Sequence, residues 1–374
     1  MNRREVIAGA AIATVLGSTA AVAGTGVFSN AYIADMPGFR AGEVRTARHY
    51  TSYIEAGPAS GPLMIFVHGH PELAITWKWQ MAHFAQKGWR CVAPDMRGYG
   101  GSSVPTAPSA YTVREISTDM AELHDALGGT PAVWVGHDWG APIVWAMASN
   151  HPKRCWGIVN MSIPYLARGF ALPHLVATVD RKLYPIDQYP VGQWDYWLYY
   201  REQFAMAQLD FEANATDTIA ALFRSGNPKA IDAPAFTATV REKGGWFGEA
   251  HRAPSMSPDP RLLTPRELRT YASAFEKTGF GAANAWYLND AANIAFAGET
   301  ANFGRLDMSV LYVHCEHDAV CETFRNRRIA DPMRSDCKDL SEVKIASGHF
   351  PMLERRDEVN RAMTTWLSAK RLVA

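Results

Sequence analysis

Gly136-His137-Asp138-Trp139-Gly140 follows a short apolar run that reads as a strand and precedes a stretch of helical character. That is the setting of a nucleophile elbow, in which the central side chain sits on a strained turn and the flanking glycines allow close backbone approach. The central residue here is Asp138, not a serine. A carboxylate in this position can attack carbon directly and form an ester. The plainer alternative is a structural aspartate capping the next helix; the glycines on both sides argue for the elbow. Breaking the ester needs a base to activate water and a group to orient that base. Asp318 lies just past an apolar run at 310–313, and His349 just past another at 343–346. The chain order nucleophile, acid, histidine suits such a turn. Asp318 would fix the tautomer of His349, and His349 would take a proton from water. The chain has 12 histidines, so it is position among the elements that singles this one out.

These residues need strands to hold them. The pattern predicts strands at 49–56, 63–67, 91–93, 132–135, 157–161, 310–313 and 343–346. Short, continuously apolar runs such as Leu63-Met64-Ile65-Phe66-Val67 are those of strands buried on both faces. Helical spacing appears between them, at 112–127, 140–149 and 357–372 among others. Alternation of this kind argues for an α/β protein, a parallel sheet covered by helices. Between 164 and 305 the strand signal disappears. Thr264-Pro265-Arg266-Glu267 is a capping box with proline at the first helical position, opening a helix that ends near Gly279. The stretch 164–305 therefore reads as a mostly helical insertion between 24–163 and 306–374, the two parts of one core.

Residues 1–23 read as an address. Arg3-Arg4 precede a charge-free run of small residues that ends in Ala21-Val22-Ala23, a pattern resembling a cleaved twin-arginine export signal. The expectation is a periplasmic or secreted protein with no membrane segment after cleavage. Five cysteines (Cys91, Cys155, Cys315, Cys321, Cys337) leave at least one unpaired in a monomer, and a pairing among the last three stays open. Lys+Arg and Asp+Glu balance at 37 each, with no basic stripe, which argues against a nucleic-acid partner. His314, Glu316, His317 and Asp318 bunch together, but consecutive loop residues rarely converge on a metal. His68 and His70 lack the further ligands of a metallo-hydrolase, so no metal is expected.

Three motifs together resemble the epoxide hydrolases of the α/β-hydrolase fold: the Asp138 elbow, His68-Gly69-His70-Pro71-Glu72, and Asp95-Met96-Arg97-Gly98-Tyr99-Gly100. The resemblance runs from about Phe39 to the C-terminal helix. It implies a mostly parallel sheet flanked by helices, with the insertion forming a helical cap, and no cofactor. The backbone N–H groups of His70 and Trp139 would make the oxyanion hole. The family usually carries an aromatic where this chain has His70. Gly279-Phe280-Gly281-Ala282-Ala283-Asn284-Ala285-Trp286-Tyr287 is similar to the segment ending in a ring-opening tyrosine, which maps to Tyr287. The family's asparagine is here Ala285, with Asn284 beside it, and its usual arginine is Leu288. Asp195-Tyr196-Trp197-Leu198-Tyr199-Tyr200 resembles the segment with the first tyrosine; this maps to Tyr196, with Tyr199 and Tyr200 as alternatives.

Two phenols suit an epoxide, because its opening leaves an alkoxide that must be hydrogen-bonded or protonated as it forms. The implied reaction joins a small apolar epoxide and water to give a vicinal diol. A haloalkane dehalogenase using the same Asp138 is the alternative enzyme. A non-catalytic binding protein on a hydrolase fold is the alternative of another class.

Overall fold

The computed structural model describes residues 32–372, so the export signal expected at 1–23 lies outside the described residues. Eight strands form one sheet: β1 Phe39–Arg45, β2 Tyr50–Ala56, β3 Leu63–Val67, β4 Arg90–Pro94, β5 Ala132–His137, β6 Cys155–Met161, β7 Leu306–Cys315 and β8 Cys337–Ile345. Their order is β1-β2-β4-β3-β5-β6-β7-β8. The β1–β2 and β2–β4 pairs are antiparallel, and the rest are parallel. Central strands β3 and β5 are buried along their whole length. Parallel strands with helices on both faces must be apolar throughout, which is why the sequence reads so plainly there.

Helices Lys78–Ala85, Val113–Ala126, Gly140–Asn150, Arg327–Asp336 and Arg356–Ala369 accompany the sheet. Among the described residues no strand lies between Met161 and Leu306. That stretch holds the helices Asp195–Glu202, Phe204–Glu212, Ala215–Leu222, Pro265–Thr278 and Asp290–Ala297 with short turns between them. The Thr264–Glu267 capping box forms as the sequence predicts, and Gly279 ends its helix at a positive φ of 69°. The insertion is tied down: the hydroxyls of Thr76 and Tyr271 lie 2.6 Å apart, and the Val113 N–H donates to Asn293 Oδ1 at 2.9 Å.

The structure corrects the edges. Strand β1 has no counterpart in the sequence-predicted elements, and β7 and β8 are several residues longer than predicted. The residues of β1 and the added residues of β8 are mostly exposed or part-buried, as are 307–309 of β7. A reading that looks for apolar runs sees only the buried half of an edge strand. All five cysteines are free thiols, so no pair forms among Cys315, Cys321 and Cys337. No described helix is long and apolar enough to cross a membrane.

The sheet order reverses between β3 and β5, with β4 on one side and β6 on the other. In open parallel sheets the crevice beyond the strand ends at such a reversal is where ligands bind. The chain leaves β3 into His68-Gly69-His70 and β5 into Asp138. It leaves β6 into Ser162, β7 into the Asp318 loop and β8 into the His349 loop. Five strand ends thus deliver their residues to one edge.

Candidate active site

Asp138 adopts a positive φ of 49°, a conformation that costs a non-glycine residue energy and persists only where its surroundings enforce it. The glycines do the enforcing. A Cβ on Gly136 would lie 2.3 Å from Asn160 Oδ1, and one on Gly140 only 2.1 Å from the Val67 carbonyl oxygen. A Cβ on Gly69 would meet the Asp138 side chain at 2.5 Å. Gly140→Ala should therefore push the helix off β3 and lower the unfolding free energy by about 1–3 kcal/mol. Urea titration checks this, and an unchanged midpoint would contradict the close approach.

The side chains of Asp138, Asp318 and His349, which lie far apart in sequence, meet here. His349 Nδ1 lies 2.7 Å from Asp318 Oδ2, and its Nε2 lies 3.4 Å from Asp138 Oδ2. Asp138 Oδ1 accepts the His70 backbone N–H at 2.7 Å. Asp318 is further held by the Val320 and Cys321 amides at 3.1 and 3.0 Å and by the Ser162 hydroxyl at 2.7 Å. Burial works against charge on all three groups, but the partners win. The hydrogen bond and charge of His349 hold Asp138 well below the ordinary carboxylate range despite its burial. Asp318, equally opposed by burial, falls to about 2 through the charge and hydrogen bond of His349. The two carboxylates, Asp318 foremost, overcome burial and lift His349 well above an ordinary histidine. These shifts all run toward an imidazolium held between two carboxylates.

Trp139 stands at the N-terminal boundary of the helix Gly140–Asn150, where first-turn N–H groups lack helical partners. Its indole packs against Phe170, Trp197, Trp286 and Tyr287 of the insertion, at ring distances of 5.0, 5.5, 5.9 and 5.1 Å. Tyr196 and Tyr287 pack edge to face at 5.6 Å. Burial first, and then neighbours that include Asp138, push both phenols well above their ordinary pKa. Neither hydroxyl has a hydrogen-bond partner among the described residues. Tyr199 is different: its hydroxyl donates to the buried Asp210 at 3.0 Å. Tyr200 lies beside Tyr287, with ring centroids 4.6 Å apart.

Sequence reasoning missed a second polar knot. Glu72 Oε1 accepts the Gly69 N–H at 3.0 Å and lies 2.7 Å from His137 Nδ1. His137 Nε2 lies 2.5 Å from the His349 carbonyl oxygen, which can only accept, so that nitrogen carries a proton. The fully buried pair of Glu72 and His137 ties together the loops after β3, β5 and β8. The only signal was adjacency, Glu72 to the His-Gly-x-Pro motif and His137 to Asp138. Ser162 gave no signal at all.

His314 and His68, from the two histidine groupings in the sequence, have structural partners. His314 lies 2.7 Å from the Thr323 hydroxyl and 2.9 Å from Glu342, away from a metal arrangement with Glu316 and His317. His68 Nε2 accepts the Met96 N–H at 2.9 Å. Ligand-type atoms of Asp318, Cys321 and His349 lie within 4.8 Å of one another, but Asp318 and His349 are already bonded to each other.

The α/β-hydrolase fold model matches residues 62–356. The chain belongs to the α/β-hydrolase family. This α/β-hydrolase is similar to Bifunctional epoxide hydrolase 2 of Sus scrofa, 29% identical over 91% of the chain and 55% of that protein. It thus spans about half the length of that curated relative. It is also similar to Epoxide hydrolase A of Mycobacterium tuberculosis, 29% identical over 85% of the chain and 94% of that protein. Among solved structures, Epoxide Hydrolase A from Mycobacterium thermoresistibile superposes with a TM-score of 0.70 at 27% identity, over 88% of this chain and 98% of that one.

Proposed function

We propose that this α/β-hydrolase is an epoxide hydrolase working through a covalent hydroxyalkyl ester on Asp138. One observation carries the reading: the elbow carboxylate, held well below the ordinary range, neighbours two buried phenols, Tyr196 and Tyr287, whose hydroxyls have no hydrogen-bond partner among the described residues. An elbow built for acyl transfer would carry a hydroxyl or thiol nucleophile and would have no use for the phenols.

Asp138 attacks an epoxide carbon as the carbon–oxygen bond breaks. Tyr196 and Tyr287 hydrogen-bond the departing oxygen, and one of them gives it a proton. The His349 imidazolium then returns a proton to that phenolate and becomes a neutral base. The change of protonation follows from the geometry, because esterification removes the negative charge 3.4 Å from Nε2 that held the proton in place. Neutral His349, still oriented by Asp318, deprotonates a water that attacks the ester carbonyl. The amides of His70 and Trp139 hold the tetrahedral oxyanion. Collapse releases the diol and regenerates carboxylate and imidazolium, so protons balance over the cycle. The substrate is a small apolar epoxide, as befits the aromatic surroundings. Export to the periplasm or medium is part of the same proposal and is supported by Arg3-Arg4 and Ala21-Val22-Ala23 alone.

A single turnover in oxygen-18 water with excess enzyme tests this. Label should enter the Asp138 peptide and be absent from the diol, because the diol's new oxygen comes from the carboxylate. Label found directly in the diol would mean that water opens the ring.

A further inference from the structure

Ser162, the first residue beyond β6, is fully buried and adopts a positive φ of 70°. That region of backbone space is costly for a residue with a side chain and cheap for glycine. Glycine would serve the turn alone better, so a serine held there points to a task for its hydroxyl. The backbone is pinned from β7: the Ser162 carbonyl accepts the Tyr312 hydroxyl at 2.8 Å, and its N–H donates to the Val313 carbonyl at 3.4 Å. The hydroxyl donates to Asp318 Oδ2 at 2.7 Å, and its oxygen lies 3.2 Å from His349 Nδ1. Nδ1 approaches that same Oδ2 at 2.7 Å, so atoms from the loops after β6, β7 and β8 close a triangle. The other oxygen of Asp318, Oδ1, takes the Val320 and Cys321 amides, which leaves the carboxylate no freedom to turn. A hydroxyl that has given its proton to Asp318 still accepts, so the Nδ1–H of His349 is shared between Asp318 and Ser162.

Building on the reading of Asp138 as an ester-forming nucleophile, we propose that Ser162 is a positioning residue for ester hydrolysis: its hydroxyl clamps Asp318 and the Nδ1 edge of His349, and so keeps Nε2 aimed at the ester and its water. The clamp matters most in the second half of the cycle. Before the ester forms, the ring is held at both ends, because Nε2 faces the anionic Asp138 Oδ2 at 3.4 Å. Esterification removes that anionic partner. From then on the imidazole is held at its Nδ1 edge, by Asp318 and Ser162 together. Without the hydroxyl, Asp318 Oδ2 keeps the imidazole as its only partner, and carboxylate and ring can swing as one.

Ser162→Gly deletes the hydroxyl while suiting the positive φ, so the turn has no reason to move; Ser162→Ala, which keeps the Cβ, should behave alike. Single turnovers of the full-length protein with styrene oxide, quenched and read by intact-protein mass spectrometry, separate ester formation from ester breakdown. Breakdown should slow by roughly ten- to a hundredfold, as misplaced reacting groups do, with formation within about threefold of the parent. A second readout needs no substrate. The His349 Nδ1–H proton resonance of the resting protein, assigned by its loss in His349→Gln, should be sharp in the parent and broadened by faster exchange with water in Ser162→Gly. Breakdown within about twofold of the parent overturns the proposal. So does an equal fall in both steps, which would make Ser162 a fold-holding residue only, and so does a resonance that is absent from the parent or unchanged in the variant. A parent that makes the diol without taking oxygen-18 from water into Asp138 overturns the nucleophile reading instead, and the proton resonance then still decides whether the clamp exists.

Discussion

His349→Gln should stop the catalytic cycle half-way and leave a protein heavier by one substrate mass. Ester formation uses the Asp138 carboxylate, the His70 amide and the phenols, all of which remain in the variant. Ester hydrolysis needs a base, and glutamine is none at any working pH. Losing general-base assistance typically costs about 10²–10⁴ in rate, so the adduct should accumulate to stoichiometry. Intact-protein mass spectrometry after mixing with excess epoxide reads this directly, and peptide mapping should place the mass on Asp138. A variant that turns over normally, or never acquires the mass, would remove His349 from the base role. The parent should show a milder form of the same arrest in acid. Asp138 stays ionised because His349 and the His70 amide hold its pKa down. The base must be neutral, however, and Asp318 keeps pulling its pKa up after the ester has formed. As pH falls through the His349 pKa of the ester, hydrolysis slows while alkylation continues, and the ester fraction rises.

Removing the two lid hydroxyls should have a comparably large effect on the opposite half of the cycle. Phenylalanine keeps the rings, which pack at 5.6 Å from each other, with that of Tyr287 also against Trp139 and Trp197, so the pocket should hold its shape. What disappears is a donor aimed at developing negative charge, worth about 10²–10³ in rate per donor, or roughly 3–4 kcal/mol. Tyr287→Phe should slow alkylation by that order in stopped-flow measurements, and the double variant with Tyr196→Phe should be nearly inactive. Hydrolysis of an ester already formed should change little. If both hydroxyls can be deleted while epoxide turnover stays within about threefold of the parent, the leaving atom is not an alkoxide oxygen. The haloalkane dehalogenase reading of Asp138 then takes precedence, since halide departure needs no proton.

How legible all this was in the sequence depended on where each residue's role is written. The buried strands β3 and β5 announce themselves because parallel strands covered on both faces must be apolar at every position. Strand β1 and the first half of β8 carry alternating polar residues at the margins of the sheet and look like loop. The elbow is legible because its glycines are demanded by sub-3 Å approaches, a local constraint. The choice among Tyr196, Tyr199 and Tyr200 is not local. Asp210, from the next helix along, takes up the Tyr199 hydroxyl, while Tyr200, whose hydroxyl is unpaired like that of Tyr196, stays as the alternative. Glu72, His137 and Ser162 draw their meaning from partners 65 to 212 positions away, and no spacing rule reaches that far.

The order of the strands also sets a clock. Strand β6 pairs with β7 through Ile158↔Val310, across the whole insertion, and β7 pairs with β8. During synthesis the carboxylate of Asp138 and its elbow are made early, while the tyrosines come some 60 and 150 residues later and the histidine later still. Chains emerge and fold from the N-terminus. A growing chain therefore owns a nucleophile long before it owns the base that could release an adduct. On the proposed mechanism, a chain that holds Asp138 and both tyrosines but ends before His349 would keep any adduct it formed, and the cycle can close only once β8 has added itself to the far side of β7.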